Sequence, residues 1–323
     1  MQNTAMTNNK KIVNEKKKKK KITLKVLKEQ KYLMLLSLPF VVYVFIFSYI
    51  PLLGWTMAFQ DYQPQLGIFQ QKWVGLQQFQ MLFADKDFWH AIRNSLGLSI
   101  YGIVAGTIAP IVFALLLNEI ISTKFKKTVQ TISYLPHFVS MVLVASLVQT
   151  MFSTQGGVIT TILMKIGLMH KAVNLMTQPK LFWLLVTLIG VWKETGWGAI
   201  IYIAAISGID QELYEAAEVD GANRFHKMWH ITLPAIKPTI VMLLVLSIPG
   251  LLGGGGTDVP MLLANPMVMD VANNIPYYTL TTGINGFRFS YGTAIGIFGS
   301  IVSLVLIFSA NKFSDWLGQG RAF

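Results

Sequence analysis

The chain of 323 residues contains no cysteine. Disulfide frameworks, thiolate metal sites, cysteine nucleophiles and thioester lipid anchors are therefore excluded. Charge is scarce too. Asp, Glu, Lys and Arg make up 13% of the residues, against roughly 25% in soluble domains. Residues of the AVILMFWYC set make up 53%. So little charge cannot cover the surface of a water-soluble globule, which argues against both a soluble enzyme and a disordered chain. The sequence also lacks a Gly-x-x-x-x-Gly-Lys-Ser/Thr loop to cradle phosphates and a Gly-x-Ser-x-Gly nucleophile elbow. The glycine run Gly253–Gly256 is followed by Thr257 and Asp258 rather than lysine. Its expected use is backbone freedom at the end of a span, as a hinge. His226 and His230 share a helix face, but without a carboxylate or third histidine placed to join them no metal site is expected. The chain is expected to be no enzyme, to hold no cofactor and to hydrolyse no ATP itself.

What the sequence has in quantity is long apolar runs. A helix crosses the hydrocarbon core with about 20 apolar residues, and its backbone must satisfy its own hydrogen bonds there. Five such runs lie within Tyr32–Trp55, Asn94–Asn118, Thr128–Phe152, Pro238–Gly256 and Phe289–Asn311. A sixth, Leu181–Ile206, comes fourth in chain order and is interrupted by Lys193 and Glu194. The expected fold is an all-α membrane protein with six transmembrane helices, residues 32–323, preceded by a lysine-rich tail, residues 1–31. Pro110 and Pro136 are each expected to kink their helix.

The net charge of +12 is unevenly placed, because residues 1–31 hold 11 Lys and 2 Glu. No aromatics interleave with these lysines, and nucleic acid is not an expected partner. The apolar run behind them is too long for a cleaved signal peptide. The tail reads as a solvated cytoplasmic flank of a retained first span, able to touch anionic membrane lipid. With the N-terminus inside, 19 of the 27 Lys and Arg fall on cytoplasmic segments, which places both termini in the cytoplasm by the positive-inside rule. Residues 56–92 read as an outer surface loop with an amphipathic piece, Trp73–Phe83, suited to the membrane boundary.

The segment Gly208–Pro234, between the fourth and fifth spans, carries a distinct pattern. Asp210 is placed to cap a short helix, with Leu213, Ala216 and Ala217 on one side. Asp220-Gly221 breaks it. A second helix follows, with Phe225, Met228 and Trp229 clustered, and Pro234 is expected to end it before Pro238 opens the next span. Two readings are open on these residues alone: an interfacial connector, or a compact cytoplasmic knob that a partner grips.

Glu215-Ala216-Ala217, then Asp220-Gly221-Ala222, then Ile231-Thr232-Leu233-Pro234, resemble the EAA loop of type I ATP-binding-cassette importer permeases. Trp73-Val74-Gly75-Leu76, Phe79, Leu82-Phe83, Phe88-Trp89 and Asn94 resemble the outer-loop signature of the sugar-uptake branch similar to the maltose system. Tyr134-Leu135-Pro136 and Trp192–Trp197 resemble the permeases that import oligosaccharides derived from complex polysaccharides. The resemblance covers the chain from about Tyr32 onward. It implies a permease subunit of a bacterial plasma-membrane importer, with a coupling loop at 208–237. Glu215 would then contact a cytoplasmic ATPase, Gly221 would set the bend, and Ala216, Ala217 and Leu233 would hold the shape of the loop, to which Asp220, Ala222 and Pro234 also belong. It also implies the partners: a second permease in a heterodimer, an ATPase dimer that binds the ATP and Mg, and an extracellular solute-binding protein.

Lys193 and Glu194 stand near mid-span, where a charge costs roughly 2.5–3.5 kcal/mol on insertion scales. Successive helix residues point about 100° apart, so this pair is expected not to meet across one face, and at least one member should face water or another helix. Either they form a polar wall of a translocation cavity, with Trp197 and Tyr202 offering flat faces to sugar rings, or they pair with another span or with the second permease. Permeases for non-sugar solutes, a membrane-embedded lipid- or glycan-modifying enzyme and an ion-coupled transporter are the competing classes. The last two need several convergent intramembrane acids or metal ligands, and the spans offer one carboxylate, Glu194.

Overall fold

The long apolar runs become helices in a computed structural model of the protein, in which residues 30–67 and 70–316 are described. Apart from Lys31, the lysine-rich tail 1–31 is described only at Gln30. The described residues divide into two compact units, one up to Gly54 and one from Trp55 onward. In the first, helix α1 (Lys31–Val44) runs into a π-helical turn, Phe45–Tyr49. It is apolar on every side, the composition of a helix surrounded by lipid or protein rather than water.

The second unit begins with a two-residue hairpin, β1 (Gln60–Asp61) and β2 (Lys72–Trp73), in antiparallel register Gln60↔Trp73. Gln71 holds its loop, donating to the carbonyls of Gln63, Leu66 and Gly67 and accepting from the Gln63 N–H at 2.8 Å. The expected amphipathic piece is helix α2 (Gln77–Ala84), which buries Leu82 while Trp73 stays exposed.

Two long helices organise the rest. Asp85 caps α3 (Lys86–Asn118) by accepting from the Asp87 N–H at 2.9 Å. Pro179 opens α7 (Pro179–Ser207) at a position where a missing N–H costs nothing. The two pack closely because glycines face bulk. Gly97 lies under the Trp183 ring, and a Cβ on Gly198 would meet the Pro110 ring at 3.2 Å. Pro110 stays within the continuous α3.

The third apolar run differs from the expectation of one crossing kinked at Pro136. It is α4 (Thr123–Tyr134) with a 3-10 turn Leu135–Phe138, then α5 (Met141–Met151), and the two halves meet at 98°. Pro136 opens the 3-10 turn, where its lack of an N–H is harmless. The break comes at Val139 and Ser140, both in extended conformation, and the Ser140 hydroxyl caps α5. Helix α6 (Val158–Lys165) follows.

After α7 come α8 (Gln211–Val219) and α9 (Arg224–Lys227). Pro234 does not end the second of these, as the sequence suggested. A π-helical turn, Met228–Thr232, carries the chain without interruption into α10 (Leu233–Ser247) and a 3-10 turn, Ile248–Gly253. The wider turn makes room for a proline whose ring would collide with an α-helical carbonyl one turn back. Short helices α11 (Met269–Ala272) and α12 (Ile275–Tyr278) lead to α13 (Phe289–Trp316). Among the described residues, five helical stretches have the length and apolarity to cross a membrane, and the bent pair brings the number to six if it crosses as one.

Lipid is as apolar as leucine, so burial alone does not hold such helices together; close packing and hydrogen bonds do. Buried Asn94 donates to the carbonyls of Asp270 (2.7 Å) and Asn273 (2.9 Å). The Ser95 hydroxyl accepts from the Ile275 N–H at 2.8 Å. These bonds tie α3 to the segment before α12.

Candidate functional site

A cavity of about 750 Å³ opens where the broken third span meets α3 and α7. Its walls carry Ser99, Gly102 and Gly106 from α3, His137 to Met141 from the break, and Gly190, Lys193 and Glu194 from α7. Ser247, Gly250, Gly254, Gly255 and Asp258 close it.

Lys193 and Glu194 meet directly, contrary to the expectation that neighbours on a helix cannot. Lys193 Nζ lies 2.8 Å from Glu194 Oε1. The flexible lysine stem bridges the angular gap. The ammonium also donates to the His137 carbonyl at 2.9 Å, and Glu194 Oε2 lies 2.7 Å from His137 Nδ1. The break supplies this geometry, because carbonyls at a helix C-terminus lack intrahelical partners and favour cations. His137 stacks face to face on Trp197, with centroids 4.4 Å apart and planes at 2°. The ring is thus held by an acid on one edge and an aromatic on its face. His137 was not among the residues singled out in the sequence, although it adjoins Tyr134-Leu135-Pro136.

Of the other two predicted cavity residues, Trp197 stands behind His137 rather than on the wall. Tyr202 lies elsewhere, buried at 3% exposure among Ala114, Leu115, Ile206 and Ile236. It packs α7 and offers no face to a solute.

The glycine run is held at several points. Gly254, Gly255 and Gly256 take φ of +53°, +81° and +70°, angles that favour glycine. The Gly254 N–H donates to Ser99 Oγ at 3.0 Å, and fully buried Asn274 donates to the carbonyls of Gly254 (2.8 Å) and Gly256 (2.6 Å). A Cβ on Gly254 would meet Ser95 Cα at 2.8 Å. The expected hinge is a pinned wall.

At the other end of α7 the hairpin is built from its own caps. Asp210 Oδ1 accepts from the Glu212 N–H at 3.0 Å, as the sequence suggested. Gly221, at φ +79°, ends α8 in a Schellman motif. Ala222 N–H donates to the Ala217 carbonyl at 2.8 Å and Gly221 N–H to the Glu218 carbonyl at 3.0 Å. Asp220 is the C-cap residue, with its N–H on the Ala216 carbonyl. Asn223 then caps α9 through the His226 N–H at 2.8 Å. Tyr214 and Thr232 share a hydroxyl hydrogen bond at 2.9 Å, and Lys227 pairs with Glu218 at 3.2 Å. No residue of α8 is buried, and Val219 (89%) and Phe225 (77%) stand out as exposed apolar side chains. Glu215 lines a second cavity, of about 570 Å³, with Glu119, Ser207, Glu218 and Arg224. Leu233 packs against the cluster around Ile236, while Pro234 is exposed. His226 and His230 stack at 4.1 Å, and no group of three potential metal ligands occurs among the described residues.

The far end of α3 carries a third constellation that the sequence did not announce. Asp85 Oδ2 accepts from Tyr278 at 2.5 Å and Tyr291 at 2.7 Å. Burial pushes the Asp85 carboxyl up, but the two hydroxyls and the N–H groups of Asp87 and Phe88 outweigh it and leave the group below its usual range. Burial and the acceptor Asp85 push the Tyr278 hydroxyl up to about 12. Arg288 covers the Tyr291 ring at 4.1 Å.

The arrangement is that of a polytopic membrane protein with a cavity that carries charged side chains beside a broken span, and an exposed hairpin below it. Residues 102–322 match the family of binding-protein-dependent transport system inner membrane components. The chain belongs to that family: it is a permease component of an ATP-binding-cassette transport system. It is 42% identical over 308 residues to the polygalacturonan/rhamnogalacturonan transport system permease protein YteP of Bacillus subtilis, covering 95% of each chain. It is 41% identical over 297 residues to the protein LplB of the same organism, covering 92% of each. It is also similar to a solved chain of a bacterial ABC transporter involved in import of the acidic polysaccharide alginate. That likeness has a TM-score of 0.81 and 39% identity, over 90% of this chain and 98% of the other. A further solved form of a bacterial alginate ABC transporter, in complex with a periplasmic protein bound to alginate pentasaccharide, matches at TM-score 0.83 and 38% identity, over 92% and 98%.

Proposed function

We propose that this permease carries oligosaccharides into a bacterial cell through the cavity beside Lys193, driven by an ATPase that grips the hairpin at 208–237. The observation that carries the coupling part is the hairpin itself. Its fold is closed by its own caps, α8 buries nothing, and its far side runs through the π-helical turn into α10 without a flexible joint. A push on α8 is therefore delivered to α10 through that continuous stretch, and reaches α7 through the short link between Ser207 and Gln211. Glu215 is the contact residue for the ATPase, Gly221 fixes the bend, and Ala216 and Ala217 keep the helix slim enough for a cleft. The saccharide part is supported by the relatives, whose names concern polygalacturonan/rhamnogalacturonan and alginate.

In this reading the chain is one half of a heterodimer with a second permease, and the ATP and Mg sit on a cytoplasmic ATPase dimer. An extracellular solute-binding protein delivers the saccharide. Both termini are cytoplasmic. Closure of the ATPase pair moves the hairpins and opens the cavity outward; hydrolysis returns it inward, in the manner of alternating access. Lys193, Glu194 and His137 give hydroxyl-rich solutes donors and acceptors that are already oriented by one another. Co-purification tests the reading. The chain should bring down a soluble ATPase and a second membrane subunit, and vesicles holding the set should take up saccharide only with ATP. Uptake by the chain alone would contradict it.

A further inference from the structure

The glycines of α3 and α7 fall into two groups. Gly97, Gly196 and Gly198 are packing glycines: an added Cβ would run into the Trp183 ring, the Ser133 backbone or the Pro110 ring. Gly102, Gly106 and Gly190 differ. A Cβ on any of them meets nothing within 4 Å, and none has a positive φ. Glycine is a poor helix former, and neither packing within this chain nor backbone geometry requires it at these three positions. All three instead line the same cavity, the one that holds Lys193, Glu194 and His137.

We infer that Gly102, Gly106 and Gly190 set the bore of the cavity and are the residues of this chain that limit the size of the solute admitted. The inference rests on the transport path proposed above. Bare backbone on two facing helices leaves the wall free of side chains at these three points, and the hydroxyls of Ser99 and Ser247 beside it suit a hydroxylated chain. Gly102 and Gly106 have the four-residue spacing that lets membrane helices touch. A dry helix seam, however, would not share its space with an ammonium, a carboxylate and the hydroxyls of Ser99 and Ser247.

The absence of cysteine makes the test direct, since this chain contributes no thiol but the one introduced, and the parental assembly labelled in parallel gives the partners' share. The full assembly is used, with partner permease, ATPase and binding protein. Gly102→Cys, Gly106→Cys and Gly190→Cys should react with a small charged methanethiosulfonate in membranes, whereas Gly299→Cys on α13, outside the cavity, should react at least tenfold more slowly. Failure of the three to react would place them against a partner helix and overturn the inference. In vesicles supplied with a length ladder of oligogalacturonides, Gly106→Leu and Gly190→Leu should abolish uptake of the longest members while keeping at least half the rate for the shortest. Equal loss at all lengths would also overturn it. Leucine favours helix, so loss of folding is not the expected failure. If the unmodified assembly takes up no saccharide at all, the saccharide reading fails, and the thiol reactions still decide whether the three glycines line a water-filled bore.

Discussion

The two ends of α3 and α7 are fastened in opposite ways. At the end carrying Asp85, side chains reach residues far along the chain: Asp85 binds Tyr278 and Tyr291 and Asn94 binds the 270–273 backbone, 176 to 206 positions away, while Asn274 holds the glycine run 18 to 20 positions back. At the end carrying the hairpin, most bonds are local caps spanning two to five residues, with Tyr214–Thr232 and Glu218–Lys227 as the longer ties. The first end is a cross-braced frame, and the second is a self-contained piece with exposed apolar corners. The difference teaches where substitution should cost stability and where it should cost transport alone.

The largest effect is expected at Asn274. Replacing it with Ala leaves the buried Gly254 carbonyl and the part-buried Gly256 carbonyl without their donor, which costs roughly 1–3 kcal/mol for the buried group. Thermal unfolding of the detergent-solubilised protein should drop by several degrees, and a value within one degree of the parent would show that the frame is not braced there. Next comes Gly221→Pro. Proline cannot reach positive φ and has no N–H for the Schellman bond, a local strain of order 1–3 kcal/mol. It should abolish uptake while membrane insertion and the melting of the frame stay near parental.

Asp85→Asn should weaken the frame by about 1 kcal/mol, since one charge-assisted acceptor becomes neutral. The pH dependence has a definite sign. A carboxyl held below its usual range stabilises the fold at neutral pH, and that contribution is lost as pH falls through the folded pKa. The stability difference between parent and Asp85→Asn should therefore shrink as pH is lowered below the ordinary carboxylate range. A difference that stays constant with pH would assign Asp85 a purely steric role. The smallest effect is expected for Lys193→Met. The pair is partly open to the cavity, with Glu194 half exposed, so melting should shift little. Uptake should fall several-fold through loss of the orienting contact to His137.

How much of this was legible in the sequence follows from the range of the interactions. The apolar runs, the Asp210 cap and the Gly221 bend depend on residues within a few positions, and period and composition reveal them. Helix continuity through Pro234 is not legible, because a π-helical turn leaves no compositional mark. Pro136 points to a kink in the third span, whereas the break belongs to Val139 and Ser140, neither a strong punctuator. The Lys193–Glu194 pairing was missed because angular spacing describes where side chains leave the helix, not where a long lysine ends. Tyr202 was drawn to the cavity by its chemistry and lies in a packing cluster instead. The Asp85–Tyr278–Tyr291 site joins residues some 200 positions apart, a juxtaposition that only the fold reveals.

The central proposal, that the hairpin transmits force from the ATPase to the cavity, is tested most directly in vesicles containing the full assembly. ATP-driven uptake would be measured for the parent, Glu215→Lys and Gly221→Pro, each verified to insert and to retain the second permease. The account predicts that both variants lose at least nine-tenths of uptake while the assembly without hairpin changes stays active. Import by both at the parental rate would contradict it.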